Sequence, residues 1–160
     1  MQSVQEYLSS KNPLTREVAL FLSAYDEEDD RVDYKQTFNP TSEKEWLEIT
    51  KDISAFANTF GGYLVFGISD NPKIVVGLSR AVANVLKNVN NLLQKINRNL
   101  EPQVALLRAK EFRLDGSSIV VLYIPQSTGE THLNQQRCEL QALEWKIKNS
   151  STQRDFLRTP

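Results

Sequence analysis

Cysteine and histidine are nearly absent from this 160-residue chain, in which Cys138 and His132 each stand alone. A lone cysteine makes no internal disulfide, the pair cannot complete an all-Cys/His zinc site, and Ser/His/Asp or Cys/His catalysis is left a single candidate base. Long hydrophobic runs are missing too. The longest uninterrupted one, Ile119 to Ile124, falls far short of the roughly 18 residues that a membrane helix needs. The opening Met1-Gln2-Ser3-Val4-Gln5-Glu6 has no positive region followed by an apolar stretch, so it does not read as a secretory signal. The expected compartment is the cytoplasm, with no membrane partner. Internal repeats and low-complexity tracts are also lacking, and only Gln126 to Gln136 reads as a long polar loop.

A net charge of −1 conceals an asymmetry. Residues 1–79 carry 7 basic and 13 acidic side chains, whereas residues 80–160 carry 12 basic and 7 acidic. Charge scatter of this size is common. It also suits an acidic centre in the first half and a basic surface for a polyanion in the second.

The first 25 residues read as helical, broken at Asn12-Pro13, and the acidic run Asp26-Glu27-Glu28-Asp29-Asp30 stops them, because carboxylates oppose the negative end of a helix. A strand is predicted from Val32 to Phe38, with Val32, Tyr34 and Phe38 on one side and Asp33, Lys35 and Thr37 on the other. Ser42-Glu43-Lys44-Glu45 is a capping box. After it, Trp46, Ile49, Ile53, Phe56, Ala57 and Phe60 form one helical stripe. Gly61-Gly62 ends that helix, and Tyr63-Leu64-Val65-Phe66-Gly67-Ile68 has the apolar character of a strand covered on both faces. Asp70-Asn71-Pro72 makes a turn, and Ile74 to Val76 resumes an extended course.

Helical spacing then predicts one helix from Arg80 to Leu100. Extended segments follow at Gln103–Phe112, at Ser118–Ile124 across the turn Asp115-Gly116, and at Leu143–Lys148. The expected fold is α/β (α+β), a mixed sheet packed by two major helices, with an N-terminal helical segment over residues 1–25 and a compact unit over residues 26–160.

Asp33-Tyr34-Lys35 places a carboxylate and a lysine two apart on one strand face, as metal-dependent nucleases often do. Unless other groups converge on it, the triplet favours a surface ion pair on an edge strand. Glu28 lies just upstream. Asp70 follows the buried strand, where catalytic groups of α/β sheets tend to gather, and it is also the first residue of a turn. Gly61 and Gly62 either offer backbone amides to a phosphate or permit the tight turn into the strand. Asn58 is expected to be buried and bonded to that turn. Lys146, Lys148, Arg154 and Arg158 surround Ser150-Ser151-Thr152, a group suited to phosphate oxygens or to a solvated strand end.

Val32-Asp-Tyr-Lys35, the stretch Ile53-Ser-Ala-Phe-Ala-Asn-Thr-Phe-Gly-Gly-Tyr-Leu-Val-Phe-Gly-Ile-Ser-Asp70 and Ile74-Val-Val-Gly-Leu78 together resemble the Schlafen AlbA-like domain, often described as DNA-binding. Later segments around Glu101-Pro102, Val121–Pro125 and Trp145–Thr152 are also similar, so the resemblance covers roughly residues 26–158. It implies nucleic acid as partner, RNA before DNA. It also implies a divalent-metal-dependent endoribonuclease acting on structured RNA such as tRNA, with Mg2+ or Mn2+ held by Glu28, Asp33 and Asp70 and with Lys35 beside them. Asp33 stands where that family usually has Glu, and the Cys/His zinc cluster of the animal members is lacking. The alternative implied is a non-catalytic DNA- or RNA-binding module of a transcriptional regulator or defence protein. The animal nuclease core has two such lobes, so a homodimer of this chain is a further expectation, as is a longer protein of which this chain is a part.

Overall fold

A computed structural model of the chain describes residues 3–27, 29–98 and 100–127. Helices α1 (Val4–Leu8) and α2 (Arg16–Ala24) come first, each opened by a hydroxyl cap, Ser3 and Thr15, that accepts a backbone N–H of the first turn. Strand β1 (Val32–Lys35) leads into helix α3 (Glu43–Asn58), capped by Ser42 as the capping box predicts. Strand β2 (Gly62–Phe66) is buried throughout. The short β3 (Ile68–Ser69) and β4 (Ile74–Val75) pair antiparallel in a sheet of their own. Helices α4 (Arg80–Lys87) and α5 (Val89–Asn97) precede the hairpin of β5 (Arg108–Leu114) and β6 (Ser117–Ile124).

The main sheet has the order β1-β2-β6-β5. β1 runs parallel to β2 through the α3 crossover, and β6 lies antiparallel to both β2 and β5. Alternation along the strands splits the core in two. Leu64, Phe66, Val120, Leu122 and Ile124 pack with α3, α4 and α5, while Tyr63, Val65, Ile119, Val121, Phe112 and Leu114 pack with α1 and α2. The sheet is therefore mixed and covered on both faces.

Four sequence expectations are corrected. The predicted helix over Arg80–Leu100 is two helices, because the side chain of Asn88 accepts the N–H of Asn91 at 3.2 Å and starts α5 afresh; an Asn cap competes with continued helix while the apolar spacing runs on. The segment from Gln103 joins the sheet only at Arg108: Val104 is bonded through both its N–H and its C=O to the Asn97 amide, each at 2.8 Å, so its backbone pairs with the end of α5. Strand β1 stops at Lys35. Phe38 leaves the alternation and is buried on the α3 side, 5.0 Å from the Trp46 ring. Phe60, expected on the α3 stripe, is exposed beyond the helix end, with the Arg31 guanidinium 5.2 Å above its ring. The Asp115-Gly116 turn is as predicted, with φ of 52° and 82° as a two-residue hairpin requires. The predicted Leu143–Lys148 strand lies outside the described residues.

Candidate functional site

Strand β1 is one edge of the described sheet, and its two faces carry different chemistry. On the α3 face, Lys35 Nζ lies 3.2 Å from Asp33 Oδ2 and 3.0 Å from Asp52 Oδ2, so one ammonium is held between two carboxylates. Asp33 Oδ1 accepts the N–H of Tyr34 at 3.0 Å. Burial pushes the Asp52 carboxyl above its ordinary value; Lys35 pulls it back and Asp33 adds to the rise. For Lys35, burial acts to lower the pKa, but Asp52 and Asp33 outweigh it and the ammonium titrates above its ordinary value. A hollow of about 370 Å3 opens here, bordered by Asp29, Asp30, Asp33, Asp52 and Phe60.

The other face holds Asp70. Its carboxylate is exposed and lies 2.8 Å from Lys73 Nζ, and that same ammonium sits 3.3 Å from the centroid of the Tyr34 ring. The Tyr34 hydroxyl donates to the Leu22 carbonyl at 2.8 Å, and burial, with Asp70 next, pushes its pKa up. A second hollow of about 650 Å3 is bordered by Asp26, Glu27, Asp29, Asp30, Tyr34, Asp70 and Lys73. Asp29 and Asp30 border both hollows, which therefore adjoin where the chain enters β1. Asp29 is itself engaged: it accepts the Tyr25 hydroxyl and the Arg31 N–H, both at 2.9 Å. Burial, then the bond to Asp29, pushes the Tyr25 hydroxyl up to about 12.

Of the residues singled out in the sequence, Asp33 and Lys35 are brought together. Asp70 lies on the opposite face of the strand with a lysine of its own. Glu28, Lys146, Lys148, Arg154 and Arg158 lie outside the described residues. Among the described residues, no group of three or more His, Cys, Asp or Glu side chains gathers around one point as a metal centre would. The pair Asp33 and Asp52 is nonetheless of a kind that suits a hard cation: Asp52 Oδ2 is buried with the Lys35 ammonium at 3.0 Å, and Mg2+ commonly takes one or two carboxylates with water completing its shell.

Sequence reading missed Asp52. Its signal is its place three residues after Ile49 and four before Phe56, both buried on α3, a position that turns an acid toward the sheet. Asn58 is half-buried and bonds Ser54 Oγ at 3.4 Å, one helical turn back, instead of the following turn. The two glycines shape the turn: Gly61 has φ of 79°, and a Cβ on Gly62 would meet the Phe56 ring at 2.3 Å.

The far edge of the sheet is basic. β5 carries Arg108, Lys110 and Arg113, with Arg16 of α2 donating to the Arg113 carbonyl at 2.9 Å. Charge thus divides across the sheet. Of the described charged side chains, those bordering the hollows beside β1 are carboxylates with Lys73 as the one cation, whereas β5 carries Arg108, Lys110 and Arg113 against Glu111, with about 14 Å, three strand spacings, between the two edges.

The chain matches the Schlafen, AlbA_2 family over residues 28–155. It belongs to that family. It is 30% identical over 100 residues to the uncharacterized ATP-binding protein UU034 of Ureaplasma parvum serovar 3, a match covering 59% of this chain and 27% of that protein. The chain thus spans about a quarter of the length of the curated relative it matches. Among solved structures, the N-terminal domain of a RecG-related protein from Nitrosomonas europaea is similar at 18% identity and a TM-score of 0.48, covering 79% of this chain and 74% of that one. The DIP2311 protein from Corynebacterium diphtheriae is similar at 18% identity and a TM-score of 0.47, covering 69% of this chain and 21% of that one. No described helix is long and apolar enough to cross a membrane.

Proposed function

We propose that this Schlafen-family chain is a nucleic-acid-binding domain that meets its ligand through the basic half of its surface. The observation that carries the reading is the division of charge across the sheet: Arg108, Lys110 and Arg113 on β5 stand apart from the carboxylates around β1. A polyanion is drawn to the first edge and repelled from the second, so the domain imposes one orientation on a strand before any base is read. Lys146, Lys148, Arg154 and Arg158 are proposed as further nucleic-acid contacts, and structured RNA is the preferred ligand. The test is a gel shift with labelled tRNA and with duplex DNA of similar length. Retention of neither would remove the reading.

A second reading, a divalent-metal-dependent endoribonuclease, is favoured by one arrangement: two carboxylates, Asp33 and Asp52, face a single lysine at an open strand edge. Asp33 and Asp52 are the described residues that would hold Mg2+ or Mn2+, and bound there the ion would supply Lewis acidity to a phosphate ester. Lys35 would stay beside the phosphate as a fixed positive charge. Glu28 and Asp70 complete the proposed acidic set, Asp70 from across the strand. Chelator-sensitive cleavage of tRNA tests this reading, and its absence leaves a binding module of a regulator or defence protein. A homodimer remains a separate proposal, tested by light scattering with and without RNA.

A further inference from the structure

Helix α4 and the closed end of the β5–β6 hairpin face each other across a concavity of about 840 Å3. One wall is a single helix face, Arg80, Asn84 and Lys87 at i, i+4 and i+7. The other is Arg113, Ser117 and Ser118. The walls are fixed to each other. Leu78 donates its N–H to the Ser118 carbonyl at 2.8 Å, and Gly77 passes so close, at φ of 88°, that a Cβ there would lie 3.1 Å from Ser117 Cβ. The groove is therefore built into the fold before any ligand arrives.

Its electrostatics call for an anion. Among the described residues, the one carboxylate in its lining is Glu111, bound by Lys87 at 2.9 Å, and bonds from Lys87 and Ser118 hold that carboxyl below its ordinary range. Neither Arg80 nor Arg113 makes an ion pair among the described residues; Arg113 donates to the Gly116 carbonyl at 3.4 Å and acts on Glu111 only as a nearby charge. Arg80 is moreover the first residue of α4, whose first turn carries no acid, so a cation sits at the positive end of a helix without an ion-pair partner among the described residues. Ser79 takes the N–H groups of Val82 and Ala83 through its hydroxyl and carbonyl. Among the described residues the groove offers no exposed aromatic ring, since Phe112 is buried toward α1 and α2; the chemistry these residues supply is that of phosphate contact and not of base stacking.

We propose that this groove seats the sugar–phosphate backbone of one nucleic-acid strand, with Arg80 and Arg113 as opposed phosphate contacts and the Ser117 hydroxyl beside them. The proposal rests on the nucleic-acid reading above. From Arg80 to Lys87 the helix face extends about 10 Å, long enough for a short run of backbone phosphates. Glu111 limits affinity by occupying Lys87.

The test is fluorescence anisotropy with a labelled single-stranded RNA between about 50 and 200 mM salt. Arg80→Gln with Arg113→Gln is expected to weaken binding on the order of tenfold at low salt and to flatten the log–log salt slope by about 1.5, two contacts' worth. Lys44→Gln with Lys51→Gln on exposed positions of α3 removes the same charge and is expected to leave both near wild type. Glu111→Gln is expected to tighten binding, a change that misfolding would not produce. If wild type binds with salt dependence but the groove variants match it, the groove assignment falls and the nucleic-acid reading stands. If wild type binds neither RNA nor DNA, both fall. ATP that displaces the strand at stoichiometric concentration would make the groove a nucleotide site and overturn the polynucleotide assignment.

Discussion

Lys35 Nζ on β1 lies 3.0 Å from Asp52 Oδ2 on α3, tying the edge strand to the helix that crosses over it. The same ammonium neutralises Asp33. Lys35→Met leaves two carboxylates facing each other without a cation, and unlike the loss of an isolated surface pair this adds repulsion. With all three side chains partly solvated, the expected loss is about 1 kcal/mol, read as a lower urea midpoint with unchanged m-value. A midpoint equal to wild type would mean that the pair contributes nothing to holding β1.

The pH dependence has a definite sign. The Asp52 carboxyl titrates above its ordinary 3.8 in the folded chain, so between those two values the folded state holds a proton that the unfolded state has released. Stability then falls as pH rises through that window, and Asp52→Asn removes that slope. Glu111 behaves oppositely: its carboxyl titrates below its ordinary 4.5, so the stability it contributes is present above that value and is lost as pH falls. Lys35, raised above 10.5, contributes at neutral pH and loses its contribution as pH climbs through its folded value. Urea midpoints measured across acid pH for wild type, Asp52→Asn and Glu111→Gln check these signs.

Most of the layering was legible in the sequence because it depends on period. Tyr63 to Phe66 had no polar residue to expose and became the doubly covered strand; the stripe from Trp46 to Ala57 became the helix above it. Two of the failures depended on single polar side chains. Asn88 divides a helix whose apolar spacing never breaks, and Asn97 diverts Val104 from the sheet. The candidate site was half legible for the same reason. Strand alternation puts Asp33 beside Lys35, but Asp52 joins them only through the packing of α3, and the turn after β3 carries Asp70 to the face of Tyr34, where Lys73 meets both.

Gly62 is required by contact, not by its own dihedral angles. A Cβ there would lie 2.3 Å from the Phe56 ring, the side chain that seals the end of α3 against the sheet. Gly62→Ala is expected to destabilise the domain by about 1–3 kcal/mol. Relief on pairing it with Phe56→Leu in thermal unfolding checks the cause, since a purely conformational cost would be unaffected by the second change.

If the acidic edge is catalytic, its variants rank in an order set by geometry. Asp33→Asn and Asp52→Asn, which strip the carboxylates around Lys35, should each lower chelator-sensitive tRNA cleavage by roughly 10- to 100-fold or more. Asp33→Glu should retain or raise it. RNA affinity should change little in all three. Asp70→Asn, across the strand and paired to Lys73, separates the two faces: loss of cleavage there brings Asp70 into the centre, and retained cleavage leaves Asp70 outside it. If neither wild type nor Asp33→Glu cuts and calorimetry finds no Mn2+ binding, the enzyme reading fails.

The most direct measurement is the affinity of the intact chain for labelled tRNA as a function of salt. Contact through the basic half of the surface predicts that log Kobs falls linearly with log salt, with a slope of roughly −0.7 to −0.9 for each phosphate engaged, and that charge-removing changes at Arg108 and Lys110 flatten it while Asp33→Asn and Asp70→Asn do not. A salt-independent affinity, or no binding to any RNA or DNA at low salt, would contradict it.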